Sequence, residues 1–392
     1  MNFNTWFNKL QTRTAINRGA GLVAFKSLLA RLDNPQINYK IIHVAGTNGK
    51  GTVCTLLARA LTNAGNKTGL FISPHLIFPT ERIQLDGAEI SPDDFKRAAE
   101  KVLSQEIEPL NFFELLTAAA FVYFAEKKAE YVVLETGLGG RKDPTNVCVP
   151  VLSIITSVGL DHTHLLGDSL EKIAAEKAGI IKSGVPVLCG NLPPEAARVV
   201  QKTAHEKNAP LEFIDAENSP GNAQKQNVRL VCRAAKMLGI SDDAVNRALE
   251  TAKLPGRFEV FKCGNKTIIL DGAHNPPAME NLLAFWQKTD FAGKRAAVLC
   301  AFMKDKDYAQ MLRLLGTQFT TGIVTAVDSP RSLKISLYPA YRPCGMTREI
   351  LPSGWQFIPD VSTALIRAQE LADVILVTGS FYLVGEVRAK LI

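Results

Sequence analysis

Closely spaced cysteines, long apolar runs and clustered basic charge are all missing from this 392-residue sequence. Its seven cysteines (Cys54, Cys148, Cys189, Cys232, Cys263, Cys300 and Cys344) are dispersed, and none forms a C-x-x-C pair. An odd, scattered set argues against a disulfide framework or a zinc site, and for reduced thiols in a cytoplasmic protein. The longest apolar stretch, around Leu115–Phe124, is too short to span a bilayer, and Met1–Trp6 lacks the pattern of a signal peptide. No membrane is therefore expected as a partner. Lys and Arg exceed Asp and Glu by 45 − 38 = 7, with no basic run of five. Such a scattered excess suits anionic small molecules, and no nucleic acid is expected. No repeat of 20–50 residues and no low-complexity tract is visible.

What is present is an ordinary globular balance, 46% hydrophobic and 21% charged, in a chain too long for one core. Two domains are expected. Short β-branched runs alternate with helical patterns, the rhythm of an α/β fold with a mainly parallel sheet. The expected strands are 41–45, 69–73, 131–135, 151–157 and 185–189, with helices over 52–63 and 113–127. The latter helix is apolar nearly all round and reads as buried. A polar stretch, 217–226, containing Asn-Ser-Pro-Gly-Asn, reads as a loop, followed by a helix over 228–238. The pattern breaks at Pro255–Gly256, and a fresh strand–helix series follows with strands at 266–270, 296–300, 322–327 and 374–378. The expected domains are therefore 1–255 and 256–392.

The first expected strand leads into Gly46-Thr47-Asn48-Gly49-Lys50-Gly51-Thr52 and then a helix. A glycine-rich turn at a helix amino terminus aims backbone N–H groups and positive potential at one point, which suits phosphate. Lys50 would lie on the outer phosphates, and the Thr52 hydroxyl near a magnesium ion. The spacing is shorter than the strict P-loop pattern, and Gly51 separates Lys50 from Thr52. Glu135 ends a buried strand, where ligands of parallel sheets gather. One carboxylate per ion is enough for Mg²⁺, which takes oxygen ligands and keeps waters. Ser73 ends its own expected strand and offers a second oxygen. His162, in Leu160-Asp-His162, follows another. Lys177, in Glu176–Ile180, is an ammonium that repels a metal, and read alone it is a solvated charge or half of an ion pair.

Taken in order, 46–52, Ile72–Leu76, Glu135–Arg141, Leu160–His162, Glu176–Ile180, Gln224-x-x-Asn227, Leu254–Glu259, Asp271–Pro276, Asp305-Lys-Asp307 and Thr378–Gly385 resemble one family. It is the folylpolyglutamate synthase/dihydrofolate synthase family, of bifunctional bacterial type, within the Mur ligase superfamily. The resemblance implies an N-terminal P-loop-containing ATPase domain around a mainly parallel sheet and a smaller Rossmann-like α/β C-terminal domain. It implies an ATP-dependent ligase that joins L-glutamate to a dihydropteroate or reduced-folate carboxylate through an acyl phosphate, working as a monomer. Thr52, Ser73, Glu135 and His162 match the metal positions, with two Mg²⁺ ions implied. Lys50, His162 and Lys177 match catalytic positions, and Lys177 matches a lysine that is carbamylated. Asn227, Arg257, Asp271 and His274 match nucleotide-binding positions beside 46–52, and Ser73, Pro74, His75 and Arg82 match a mobile substrate-binding loop. Thr52 replaces the usual Ser and keeps its hydroxyl, while Pro144 replaces a common Ala and stiffens its loop.

Two other readings compete. A cell-wall Mur ligase shares the chemistry but carries a nucleotide-sugar-binding domain ahead of the phosphate loop, for which the roughly forty residues before Ile41 are too few. A P-loop switch would hold ATP without ligating anything. The Asp271–Pro276 motif and His162 argue against it.

Overall fold

The structure is a computed structural model and describes residues 3–13, 22–214, 223–333 and 351–392. Two compact units emerge: one runs through the first sheet and includes Gln224–Ala252, and the other holds Lys253–Ile392.

Among its described residues the first unit carries eight strands: β1 (Lys40–Ala45), β2 (Thr68–Phe71), β3 (Ile83–Leu85), β4 (Ala88–Glu89), β5 (Tyr131–Glu135), β6 (Leu152–Ile155), β7 (Val187–Cys189) and β8 (Leu211–Phe213). Their order is β4-β3-β2-β5-β1-β6-β7-β8, parallel except for the β2-β3-β4 edge. Alternation along each strand sends side chains to opposite faces. Ile42, Val44, Leu70 and Val133 pack with Leu57 and Leu61 of helix Lys50–Asn63 and with Leu230 and Ala234 of helix Ala223–Met237. Ile41, Phe71, Val132 and Leu134 face helix Phe112–Glu126 on the other side. That helix is apolar all round and buried as expected. It starts where it does because Asn111 and Glu114 exchange backbone N–H bonds in a capping box.

Among its described residues the second unit holds a six-stranded sheet of β9 (Glu259–Cys263), β10 (Lys266–Leu270), β11 (Ala296–Cys300), β12 (Gly322–Val324), β13 (Gln356–Phe357) and β14 (Val374–Thr378). The order is β13-β12-β11-β14-β10-β9, with only β9 antiparallel to its neighbour. Its core joins Ile269, Val298 and Leu376 to Met279, Leu283, Trp286, Met311 and Leu315 from the helices. The mixed α/β architecture is the one anticipated.

Element ends differ from the sequence reading for physical reasons. Strand β6 stops at Ile155, not 157: the Thr156 N–H still bonds to the Ala45 carbonyl, but from there the Ser157 carbonyl and both hydroxyls serve the glycine turn at Thr47 and Asn48. Strand β2 stops at Phe71, which leaves Ser73 in the following loop. The helix expected from 228 begins at Ala223, so the end of the expected polar loop is helical; the rest of that loop lies outside the described residues, as does Cys344. Strands β3, β4, β8, β9 and β13 escaped notice, being short or at sheet edges, where an apolar pattern has little length to declare itself. Among the described residues no helix is long and apolar enough to cross a membrane.

Candidate functional site

The turn after β1 is built from both of its ends. Gly49 caps helix Lys50–Asn63 in the left-handed region, at φ 85°, and an added Cβ there would lie 2.4 Å from Asn227 Oδ1. Asn227, from a distant helix, is thereby placed against the loop. The exit of β6 braces the loop from below. Ser157 Oγ accepts the Asn48 N–H at 2.9 Å, and Thr156 Oγ1 donates to the Asn48 carbonyl at 2.6 Å. Thr47 Oγ1 exchanges bonds with Gly159. The sequence reading passed over Thr156–Gly159; a hydroxyl pair directly behind an apolar strand was the available signal. Lys50 folds back over the turn, its Nζ donating to the Gly46 carbonyl at 3.0 Å.

Glu135 meets Lys50 across the strand ends. Its carboxylate is 3% exposed, lies 3.9 Å from Lys50 Nζ, and accepts the Ser73 N–H at 3.1 Å. The topology explains the meeting. From β1 the chain passes over β5 to reach β2, and from β5 it passes over β1 to reach β6. Adjacent strands whose connections leave in opposite directions open a crevice at their carboxyl ends. The Thr52 hydroxyl is buried in the first turn of its helix. His162 lies on the loop beyond β6 in a left-handed backbone, its N–H on Asp161 Oδ1 at 2.8 Å.

Lys177 overturns its reading as a solvated charge: it is 3% exposed. Helix Leu170–Ala178 turns Ile173, Ala174, Lys177 and Ala178 inward together, as three- and four-residue spacing requires. Burial lowers the Lys177 ammonium to about 7, and the charge of Lys50 adds to that. Asp161, Asp143 and Glu176 oppose the shift.

Among the described residues no three His, Cys, Asp or Glu side chains form a metal cage. The anticipated donors are the Thr52 and Ser73 hydroxyls, the Glu135 carboxylate and the His162 imidazole. Such a set fits a hard cation that completes its shell with phosphate oxygens and water, not a self-contained structural site.

The segment Ser73–Arg82 is tied to itself. Glu81 accepts the N–H groups of Leu76, Ile77 and Phe78 at 2.7–2.8 Å, a role that only the fold reveals. Arg82 Nε donates to His75 Nδ1 at 2.8 Å, and burial together with the Arg82 charge lowers His75 to about 3. Its ring is neutral and accepting.

In the second unit, Asp271 Oδ1 and Oδ2 accept the N–H groups of Ala273 and Phe258, each at 2.9 Å. Burial raises its carboxyl and the Arg257 guanidinium opposes that rise. Phe381 is the hub the sequence reading left without a role. Arg257 stands 4.6 Å over its ring, and the His274 ring lies 5.1 Å away.

Comparison with known proteins adds a second line. Residues 44–261 match the Mur ligase middle domain, and residues 256–381 match the Mur ligase glutamate ligase domain. A Bacillus subtilis dihydrofolate synthase/folylpolyglutamate synthase is 36% identical over 416 residues, covering 95% of each chain. Escherichia coli FolC, solved with DHPP and ADP, superposes with a TM-score of 0.88 at 29% identity, covering 100% of this chain and 97% of that one. A bifunctional folylpolyglutamate synthase/dihydrofolate synthase from Yersinia pestis, solved with AMPPNP and Mn ion, gives 0.86 at 29% identity, covering 100% and 98%.

Proposed function

Because this chain belongs to the folylpolyglutamate synthase/dihydrofolate synthase family of Mur ligases, we infer how its own residues divide the work of an ATP-dependent glutamate ligase. The reaction forms an amide between a pteroate or folate carboxylate and the amine of L-glutamate, releasing ADP and phosphate. A carboxylate is a poor electrophile, so ATP first converts it to an acyl phosphate. The neutral glutamate amine then attacks the acyl carbon, and phosphate leaves as the tetrahedral adduct collapses. The supporting observation is the meeting of Lys50, Glu135 and the Ser73 amide at the crevice behind the glycine turn.

In this reading residues 1–255 form the ATP- and folate-binding domain and 256–392 the Rossmann-like domain. Gly46–Thr52 and Lys50 hold the phosphates, offsetting charge on the transferring group. Thr52, Ser73, Glu135 and His162 hold divalent metal, two Mg²⁺ ions in the working enzyme, which supply Lewis-acid stabilisation of the phosphoryl oxygens. Asn227, Arg257, Asp271 and His274 hold the nucleotide, and Ser73, Pro74, His75 and Arg82 border the acceptor. Lys177 works as a carbamate: its neutral amine adds to CO₂, forming an N–C bond and releasing a proton. A lysine lowered to about 7 has the neutral fraction this addition needs, and the product replaces a repelling ammonium with oxygen anions. The enzyme acts as a cytoplasmic monomer on small molecules, without nucleic acid or membrane, and accepts both dihydropteroate and reduced folates.

The test is ADP release measured with dihydropteroate and with tetrahydrofolate separately, each with and without L-glutamate, and products identified by mass. Release that requires both acceptor and glutamate is expected. Equal release without either would return the chain to a nucleotide switch. Lys177→Ala should lose turnover while keeping ATP binding, with partial recovery on adding short-chain carboxylates; turnover at the parent rate would remove Lys177 from the mechanism.

A further inference from the structure

The two anionic groups of the proposed site come from segments that share no strand. Glu135 ends β5, and Lys177 sits one residue from the end of helix Leu170–Ala178. Something must hold the loop leaving Glu135 against that helix end. The loop and helix approach at backbone distance: an added Cβ at Gly140 would lie 2.8 Å from the Glu176 carbonyl and 3.1 Å from the Lys177 carbonyl, and one at Gly179 would lie 2.4 Å from Arg141 Cβ. The Arg141 N–H donates to the Glu176 carbonyl at 2.7 Å.

Two side-chain links close this joint: the largely exposed Arg141 guanidinium pairs with the Glu176 carboxylate, and a buried side chain makes the other. Asn146, 8% exposed, donates from Nδ2 to the Arg141 carbonyl at 3.1 Å on the loop and to the Gly179 carbonyl at 3.0 Å at the helix end. Its Oδ1 accepts from Lys182 Nζ at 2.7 Å, and the same ammonium reaches the Asn146 carbonyl at 3.0 Å. Both amide hydrogens and the amide oxygen are thus committed, which fixes the side chain in one orientation. Asp143 braces the segment from the other side, accepting the N–H groups of Leu138 and Thr145.

We propose that Asn146 is a positioning residue for the ligase reaction, a clamp that sets Lys177 against the loop leaving Glu135, with Lys182 as its anchor. This rests on the reading of Glu135 and Lys177 given above. Asn146 touches no substrate; it acts through the two backbone carbonyls it joins.

Asn146→Asp tests it in the full-length protein. The substitution keeps an oxygen for Lys182 and turns the group that held two carbonyls into one that repels them. A shift of about an ångström at reacting groups costs about 10²-fold, so kcat with dihydropteroate, ATP, Mg²⁺ and L-glutamate should fall by about that factor. KM for ATP and for dihydropteroate should stay within about twofold, and half-saturating Mg²⁺ should rise about tenfold, since only the metal-facing geometry is displaced. Turnover at the parent rate, or a loss spread equally over kcat, both KM values and thermal midpoint, overturns the clamp. If Asn146→Asp does not fold, Lys182→Met is read by the same four quantities, with a smaller kcat loss expected. A parallel Lys177→Ala separates the two levels of inference. If that variant turns over normally, the underlying reading of Lys177 is wrong; if it is inactive while Asn146→Asp is not, the clamp alone fails.

Discussion

A buried lysine should cost stability, and the cost at Lys177 follows from its surroundings. In the unfolded chain its ammonium titrates near 10.5; in the folded protein it is lowered to about 7. Between these values the unfolded state holds a proton that the folded state has released, so stability rises with pH through that window. The span, 10.5 − 7, at about 1.4 kcal/mol per pH unit, corresponds to about 5 kcal/mol below pH 7 and about 4 kcal/mol at pH 7. Lys177→Met removes the charge at similar length and volume. In metal-free buffer depleted of CO₂, this variant should be more stable than its parent by up to about 4 kcal/mol at pH 7 and by under about 1 kcal/mol at pH 10. It should also be inactive. Urea titrations followed by circular dichroism at the two pH values measure both gaps. A gap of equal size at pH 7 and pH 10 would mean that packing, not charge burial, sets it, and a variant less stable than the parent at pH 7 would refute the reasoning outright.

Three further outcomes are expected. Gly49→Ala meets a left-handed backbone, worth about 1–2 kcal/mol, and Asn227 at 2.4 Å, so ADP affinity should drop about tenfold or more by calorimetry; unchanged affinity would dissociate the turn from the nucleotide. Glu135→Gln keeps an acceptor for the Ser73 N–H but loses its charge, so half-saturating Mg²⁺ should rise about 10–100-fold with the thermal midpoint nearly unmoved. Phe381→Leu removes the ring under Arg257 and beside His274, a contact worth about 0.5–2 kcal/mol, which raises KM for ATP about 3–30-fold at unchanged kcat. An unaltered KM would detach Phe381 from the nucleotide.

The α/β class and most central strands were legible because buried parallel strands read as continuous β-branched runs; β5, β10, β11 and β14 fall on the residues anticipated. The glycine turn was equally legible, since its glycines, lysine and following helix are consecutive. The edge strands were not, and neither was Ser73's place beyond β2. Lys177 viewed alone left a solvated charge and an ion pair both open, because a lysine defaults to water; only the inward face shared with Ile173, Ala174 and Ala178 removes the solvated reading. Asn146 and Phe381 carry no local signal, since each acts through groups that other segments bring to it; Glu81 binds N–H groups of its own loop, but only the loop's fold brings them round to it.

Information carried by neighbours in the chain, then, was enough for the glycine turn, the strand–helix alternation and the family. Convergence was a different matter. Lys50 faces Glu135 because two crossing connections bring β1 and β5 side by side, and Asn227 reaches Gly49 because a far helix packs on the same sheet face. Burial, which depends on every segment packed around a group, turns Lys177 from an ordinary ammonium into an amine lowered to about 7. Residue type and spacing name the chemical groups; the low-dielectric surroundings and the partners across the crevice set what those groups do.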